Sequence, residues 1–133
     1  MDSFELIMKV RDYECDMQGI VNNAIYQHYL EHTRHEFLIT AGVRFEDLLA
    51  QNVVPVVSRI EIDYKTSLRS GDEFISKMKL TKSGIKYVFI QEIYRKSDNK
   101  LSVKAKVDIV TLIDGKLSRG DYFDNIFKTS INE

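Results

Sequence analysis

Residues 13–26, YECDMQGIVNNAIY, decide how the chain is interpreted, because an acid, a glycine and an Asn-Asn pair stand directly before a long helical pattern. A helix that begins near Asn22 or Asn23 leaves its first N–H groups without intrahelical partners, and these groups stabilise negative charge together with the helix dipole. Asp16 lies six or seven residues upstream and could face the same point. Acyl transfer needs a base or nucleophile, such as this carboxylate, beside an oxyanion site, although spacing alone explains Asp16 equally well as a cap or turn residue.

The stretch continues into an amphipathic helix predicted over residues 24–41. Its apolar side chains recur at helical spacing, and Gly42 supplies a C-terminal stop. A shorter helix is predicted over residues 44–51, before Pro55 interrupts the pattern.

The rest of the chain has the pattern of strands. Residues 4–13 alternate between apolar and polar side chains and predict a first strand. Later strands are predicted over residues 56–66, 73–82, 86–96 and 101–113, with a short return at 116–119 and a last helical turn capped by Asp121. Glycine, Asp and Asn mark the short links, which require antiparallel neighbours. We therefore predict a single α+β domain over residues 1–133, in which a curved antiparallel sheet of about five strands wraps around one long helix.

Composition excludes several classes of protein. With 19 basic and 20 acidic residues, the net charge of -1 gives no overall field for binding nucleic acid or an anionic membrane. No apolar run is long enough to span a bilayer, and the N-terminus lacks the pattern of a signal peptide, so a cytoplasmic protein is predicted. A single cysteine, Cys15, excludes an internal disulfide.

The histidines and the cysteine suggest other chemistry. His28, His32 and His35 follow the i, i+4, i+7 spacing of metal ligands, but they lie nearly opposite the apolar stripe, so we predict that they face solvent or a subunit contact and hold no metal. A thiol mechanism through Cys15 is disfavoured because neighbouring side chains of an extended chain point to opposite faces, and a buried, inert cysteine is expected.

The predicted strand over residues 86–96 is apolar on both faces. One face can cover the helix, whereas the other needs cover from elsewhere. This pattern predicts self-association.

The chain resembles the hydroxybenzoyl-CoA thioesterase family of hotdog-fold proteins over nearly its whole length. That family's signature places an Asp before Gly-Ile/Val-Val and a helix with Tyr and Glu-x-x-Arg. The matching residues here are Asp16, Gly19, Ile20, Val21, Tyr26, Glu31 and Arg34. Residues 60–64, followed by Gly71 and Asp72, also resemble the family's first strand and turn after the helix.

The resemblance implies an acyl-CoA thioesterase with the hotdog fold, acting as a dimer or tetramer with its active sites at the subunit interface. It implies Asp16 as the catalytic carboxylate and the backbone N–H of Asn23 as the group that polarises the carbonyl. Substrate contacts are expected from Gly19, Ile20, Val21 and Tyr26, with no metal and no cofactor apart from the coenzyme A of the substrate. Asn23 replaces the histidine or tyrosine of some members, which affects substrate contacts more than the chemistry.

Several alternatives remain open at this stage. Asp16 could be a nucleophile or a general base. The substrate could be carried by an acyl carrier protein, or the chain could be a non-catalytic acyl-thioester binding module. A dehydratase or hydratase of the same fold is disfavoured, since such sites generally combine a helical acid with a loop histidine. The phosphates of coenzyme A could be bound by basic residues that otherwise form solvated strand faces, namely Arg59, Lys82, Lys86, Arg95 and Lys96.

Overall fold

The computed structural model describes residues 4–128 and 131–132. Its helices and strands are β1 (Phe4–Lys9), α1 (Asn23–Thr40), α2 (Phe45–Ala50), β2 (Val53–Tyr64), β3 (Glu73–Ser83), β4 (Lys86–Arg95), β5 (Lys100–Ile113), β6 (Lys116–Leu117) and β7 (Ile131–Asn132). A 3₁₀ turn, Asp12–Glu14, lies between β1 and α1. Neither helix of this described part has the length and apolar character needed to cross a bilayer.

The sheet has the strand order β1-β3-β4-β5-β2, and all four pairings along it are antiparallel. The short strands β6 and β7 extend it at β5 and β3. The sheet curls around α1, which confirms the predicted architecture.

Helix α1 begins and ends as its sequence predicts. The Asn22 side chain accepts a hydrogen bond from the Ala24 N–H at 2.9 Å, and Gly42 follows the helix with φ of 94°. The predicted stripe faces inward, with buried residues Tyr26, Tyr29, Leu30, Thr33 and Phe37. Arg34 is buried with them.

Strand β1 is shorter than predicted and ends at Lys9. Residues 11–15 bond locally instead of to β3, since the Glu14 N–H donates to the Arg11 carbonyl at 3.0 Å and the Glu14 side chain accepts from the Arg11 N–H at 2.8 Å. These local bonds turn the chain toward the start of α1.

Strand β2 begins at Val53, so the prediction that Pro55 precedes the strand is wrong. An edge strand tolerates proline, because one side of its backbone has no neighbour to bond. A bulge between Val57 and Arg59 shifts the alternation, so that Pro55 before it and Ile60 and Ile62 after it all face the interior.

The core forms two apolar clusters, one at each end of α1. A buried polar layer lies between them. In this layer Thr33 Oγ1 and Ser76 Oγ are 2.7 Å apart, the Arg34 guanidinium donates to Gln91 Oε1 at 3.0 Å, and Gln91 Nε2 donates to the Leu30 carbonyl at 3.0 Å.

The segment after β6 forms successive turns over residues 122–128 in place of the predicted last helical turn. Phe123 and Phe127 are buried against Tyr87, with the rings of Tyr87 and Phe127 5.3 Å apart. The Asp124 carboxylate accepts from the Tyr87 hydroxyl at 2.6 Å and pairs with Lys82 at 2.5 Å. Packing of the two phenylalanines and these side-chain bonds hold the segment without a regular helix.

The face of β4 that was predicted to need cover from elsewhere is already partly covered within the chain. On the face of β4 directed away from α1, Val88 is already buried within the chain and Ile90 is partly buried. Large apolar side chains are instead exposed on edge strand β2, namely Val54, Val56 and Val57.

Candidate active site

The loop that carries Asp16 is a tight hairpin. The Asp16 N–H donates to the Ile20 carbonyl at 2.9 Å, and the Gly19 N–H donates to the Asp16 carbonyl at 3.0 Å. Gly19 has φ of +79°, a conformation that L side chains rarely adopt. The Asp16 side chain accepts from the Gln18 N–H at 2.8 Å through Oδ1 and remains exposed, so its second oxygen is open to a reactant.

The start of α1 presents a free backbone donor. The cap by Asn22 uses the Ala24 N–H, and the Ile25 N–H donates to the Asn22 carbonyl at 2.9 Å. Within the described part of the chain, the Asn23 N–H has no acceptor. The predicted donor is therefore available at the positive end of the helix dipole.

Asp16 and Asn23 line one open cleft of about 290 Å³. Ile20, Val21 and Tyr26 line it as well, whereas Gly19 is not part of its wall and shapes the turn. Sequence reasoning missed the facing wall, which consists of Tyr64, Lys65, Thr66, Ser67 and Ser102. The cleft thus lies between the start of α1 and the end of β2.

The facing wall is tied to the helix and to β5. The Tyr64 hydroxyl donates to the Asn23 carbonyl at 3.2 Å, and the Ser102 hydroxyl donates to the Thr66 carbonyl at 2.5 Å. The Lys65 N–H donates to the Ser102 carbonyl at 2.8 Å. These bonds fix the backbone on both sides of the cleft.

Tyr26 contributes the ring but not the hydroxyl to the cleft. The side chain is buried, and its hydroxyl accepts from the Leu68 N–H at 2.9 Å. Its ring meets the Tyr64 ring edge-to-face at 5.6 Å. Tyr26 can therefore offer apolar contact to a substrate while it supports the wall.

Glu14 joins the Asp16 loop to α1 through hydrogen bonds of its side chain and its carbonyl. One carboxylate oxygen accepts from both the Tyr29 hydroxyl and the Arg11 N–H, each at 2.8 Å, and the Glu14 carbonyl accepts from the Asn22 N–H at 3.1 Å. Burial, and next the bond to Glu14, raise the pKa of Tyr29, so its hydroxyl stays a donor at neutral pH. The network therefore holds the loop and the helix start together.

We expect Glu14→Ala to lower the free energy of unfolding by about 2–3 kcal/mol, because the buried Tyr29 hydroxyl and the partly buried Arg11 N–H lose their acceptor. Urea denaturation measures the change. Asp12→Ala is the matched control, since Asp12 is an exposed acid in the same turn that bonds only to the adjacent Tyr13 N–H through its side chain. An equal, small effect of both substitutions would show that the network contributes little.

Cys15 and the histidines lie outside the cleft wall. Cys15 is half-buried instead of buried, and burial, followed by the charges of Asp16 and Glu14, raises the pKa of its thiol, which reduces its thiolate fraction. His28, His32 and His35 are exposed, as predicted. Within residues 4–128, no three His, Cys, Asp or Glu side chains cluster as metal ligands would.

The basic residues proposed for phosphate binding are placed elsewhere. None lines the cleft, and four of the five are paired with acids: Arg59 with Glu61, Lys82 with Asp124, Lys86 with Asp108 and Arg95 with Asp98. The basic side chain of the cleft is Lys65. In the sequence, Lys65 is marked only as part of the polar run that follows β2. That run does not show that β2 ends beside α1.

Comparison with known proteins identifies the family. The sequence model of the thioesterase-like superfamily matches residues 10–121 of this chain. A chloroplastic acyl-acyl carrier protein thioesterase of Arabidopsis thaliana is 31% identical over 112 residues, which are 84% of this chain and 59% of that protein. The chain thus spans less than two thirds of this relative's length.

Solved structures share the fold. A 1,4-dihydroxy-2-naphthoyl-CoA thioesterase from Synechocystis superposes with a TM-score of 0.86 at 14% identity, covering 97% of this chain and 95% of that one. A 12:0-ACP thioesterase from Umbellularia californica gives a TM-score of 0.87 at 12% identity, covering 98% of this chain and 51% of that one. The resemblance drawn from Asp16 and the residues after it is confirmed at superfamily level, and the hydroxybenzoyl-CoA branch is compatible with it. The chain has the hotdog fold and belongs to the thioesterase-like superfamily.

Proposed function

We propose that this chain hydrolyses an acyl thioester to a free acid and a thiol, with Asp16 and the backbone N–H of Asn23 as its catalytic groups. The observation that carries the proposal is that Asp16 and Asn23, whose N–H has no acceptor among the described residues, line the same cleft at the start of α1. Attack on the thioester carbonyl places negative charge on its oxygen. A fixed N–H at a helix start stabilises that charge.

Two routes use the same groups. As general base, Asp16 takes a proton from water while the water oxygen attacks the carbonyl carbon, and collapse of the tetrahedral intermediate expels the thiolate. As nucleophile, Asp16 attacks the carbon itself and expels the thiolate, leaving a mixed anhydride that water then hydrolyses. Thiolate is a good leaving group, so neither route needs a strong general acid, a metal ion or a cofactor beyond the substrate's own carrier.

The carrier of the acyl group is either coenzyme A or an acyl carrier protein. The resemblance to the hydroxybenzoyl-CoA family favours the former, and the name of the 31% identical relative favours the latter. Thiol release is measured with the same acyl chain on coenzyme A and on acyl carrier protein. The ratio of the two kcat/KM values then identifies the preferred carrier. Saturable binding of every thioester without thiol release would instead identify a binding module.

Lys65 is expected to contact the carrier. Its side chain lines the cleft, and a lysine ammonium binds phosphate as a point charge. Lys65→Ala should raise KM by about tenfold and leave kcat within about twofold, because the contact is made equally in the ground and transition states. Lys104→Ala, an exposed lysine of β5 outside the cleft, is the control. A fall in kcat at unchanged KM would contradict this role.

We also propose that the enzyme is a dimer joined along β2. Among the described residues β2 pairs with β5 only, and Val54, Val56 and Val57 are between 37% and 46% exposed beside this open edge. Two copies related by a two-fold axis can pair these edges in an antiparallel sense. Since Tyr64 at the end of β2 lines the cleft, the partner would lie beside each active site.

Val56→Lys should disrupt the dimer, because a lysine on an edge strand opposes strand pairing. We expect the dimer dissociation constant, measured by sedimentation equilibrium, to rise by at least about tenfold. Leu49→Lys is the control, since Leu49 is 83% exposed on α2. A wild-type protein that sediments as a monomer at micromolar concentration would remove the proposal.

A further inference from the structure

A second cavity, of about 150 Å³, lies between α1, α2 and the strands β2, β4 and β5. It shares no lining residue with the catalytic cleft. Most of its wall is apolar, including Leu38, Phe45, Val57, Phe89, Phe123 and Phe127. The turn segment over residues 122–128 therefore closes part of it.

One charged group in this wall is nearly buried. Arg34 lines the cavity with only 7% of its surface exposed, and within the described part of the chain its one side-chain hydrogen bond is the 3.0 Å bond to Gln91. Among residues 4–128 no carboxylate lies within 4 Å of its guanidinium, and Glu31, three residues before it on α1, forms no ion pair with it. Most of its five N–H donors are without a partner in the described structure.

These donors are not sealed within the described structure, and Arg34 lines the cavity. In the described part of the chain, the sealed side-chain atoms without a partner are Asp108 Oδ1 and Thr111 Oγ1, and no Arg34 nitrogen is among them. Burial lowers the pKa of Arg34, yet a guanidinium keeps its charge at neutral pH. An unpaired charge in apolar surroundings is unfavourable unless an acceptor reaches it.

We propose that this cavity binds an apolar chain that carries an oxygen acceptor, and that the guanidinium of Arg34 donates hydrogen bonds to that oxygen. The apolar wall takes the chain, and the planar, multiply donating guanidinium suits a carboxylate best. Glu31 also lines the cavity but is exposed to solvent, where screening weakens its repulsion of an anion. The ligand is either a free carboxylate, such as a product acid, or an oxygen-bearing acyl group of a thioester, and the latter source rests on the proposed function.

Calorimetric titration of the full chain tests the binding without any need for catalysis. We expect decanoate to bind wild-type protein at least about tenfold more tightly than decyltrimethylammonium, and Arg34→Met to bind decanoate at least about tenfold more weakly than wild type. Arg44→Met is the control for loss of an arginine near α2, since Arg44 pairs with Glu46 on the surface. Equal binding of decanoate by wild type and Arg34→Met would overturn the proposal.

A second variant keeps Arg34 and fills the cavity. Leu38→Trp adds bulk at a half-buried wall position and should weaken decanoate binding by at least about tenfold while circular dichroism stays unchanged. Undiminished binding by this folded variant would place decanoate elsewhere and would also overturn the proposal.

Rates of thioester hydrolysis distinguish a free carboxylate from the acyl group of a thioester as the ligand of the cavity. If the acyl group is the ligand, wild type should prefer the mono-CoA thioester of decanedioic acid over decanoyl-CoA, and Arg34→Met should lose that preference. If the free carboxylate is the ligand, both enzymes should treat the two thioesters alike, and only decanoate binding should depend on Arg34. Absence of thiol release from any thioester would refute the proposed function, and the titration with decanoate would still decide on the cavity.

Discussion

Asp16→Asn and Asp16→Ala are expected to lower the turnover of a good acyl thioester by about a hundred- to ten-thousand-fold. The Asp16 carboxylate is exposed in the cleft, and one of its oxygens is occupied by the Gln18 N–H. Asparagine can keep that bond through its own side-chain oxygen but cannot act as base or nucleophile. The loss of activity should therefore come without loss of the fold, and thiol release by each variant measures it.

Asp12→Asn is the matched control for Asp16→Asn. Asp12 is exposed in the preceding turn, and its side chain likewise accepts a backbone N–H, that of Tyr13, at 2.9 Å. It does not line the cleft, so its replacement should leave turnover near the wild-type value. Turnover by Asp16→Asn close to that of Asp12→Asn would remove Asp16 from the chemistry.

Asn23→Pro is expected to lower kcat by about a hundred- to a thousand-fold, because it deletes the N–H proposed to bind the oxyanion. Proline is well suited to this position. Asn23 is the first residue of α1, where the fixed φ of proline fits the helix and no intrahelical bond is lost. The preceding Asn22 has φ of −62° and ψ of 136°, in the extended region that a residue before proline prefers.

Asn23→Ala separates the backbone from the side chain at the same position. Alanine retains the N–H, so this variant should keep kcat within about tenfold of wild type. Urea denaturation should give both variants a stability close to that of wild type, which links the difference in kcat to the missing donor. Equal activity of Asn23→Pro and Asn23→Ala would show that this N–H does not act on the substrate.

The fold could be predicted well from local patterns. Helical spacing located α1, and period-two alternation with Gly, Asp or Asn links located β3, β4 and β5 to within one residue at each end. The errors arose where distant contacts outweigh local preference. Pro55 is accommodated because β2 lies at a sheet edge, and β1 ends early because Glu14 bonds back to Arg11.

The site was predictable only in part. Asp16 and Asn23 lie in one short stretch, so their meeting in a cleft follows from a single turn and a helix start. Lys65 and Ser102 reach the same cleft through sheet pairing between β2 and β5, which no short sequence pattern encodes. The helical spacing of Glu31 and Arg34 gives no sign that Arg34 is buried next to the apolar stripe and donates to Gln91 on β4.

Release of thiol at a hundredfold excess of acyl thioester over protein decides whether Asp16 and the Asn23 N–H together hydrolyse the thioester. The measurement runs wild type, Asp16→Asn and Asn23→Pro in parallel on one substrate. We predict that wild type releases many equivalents of thiol per protein while each folded variant is slower by about a hundredfold or more. Absence of multiple turnover by wild type, or turnover by the variants at the wild-type rate, would contradict it.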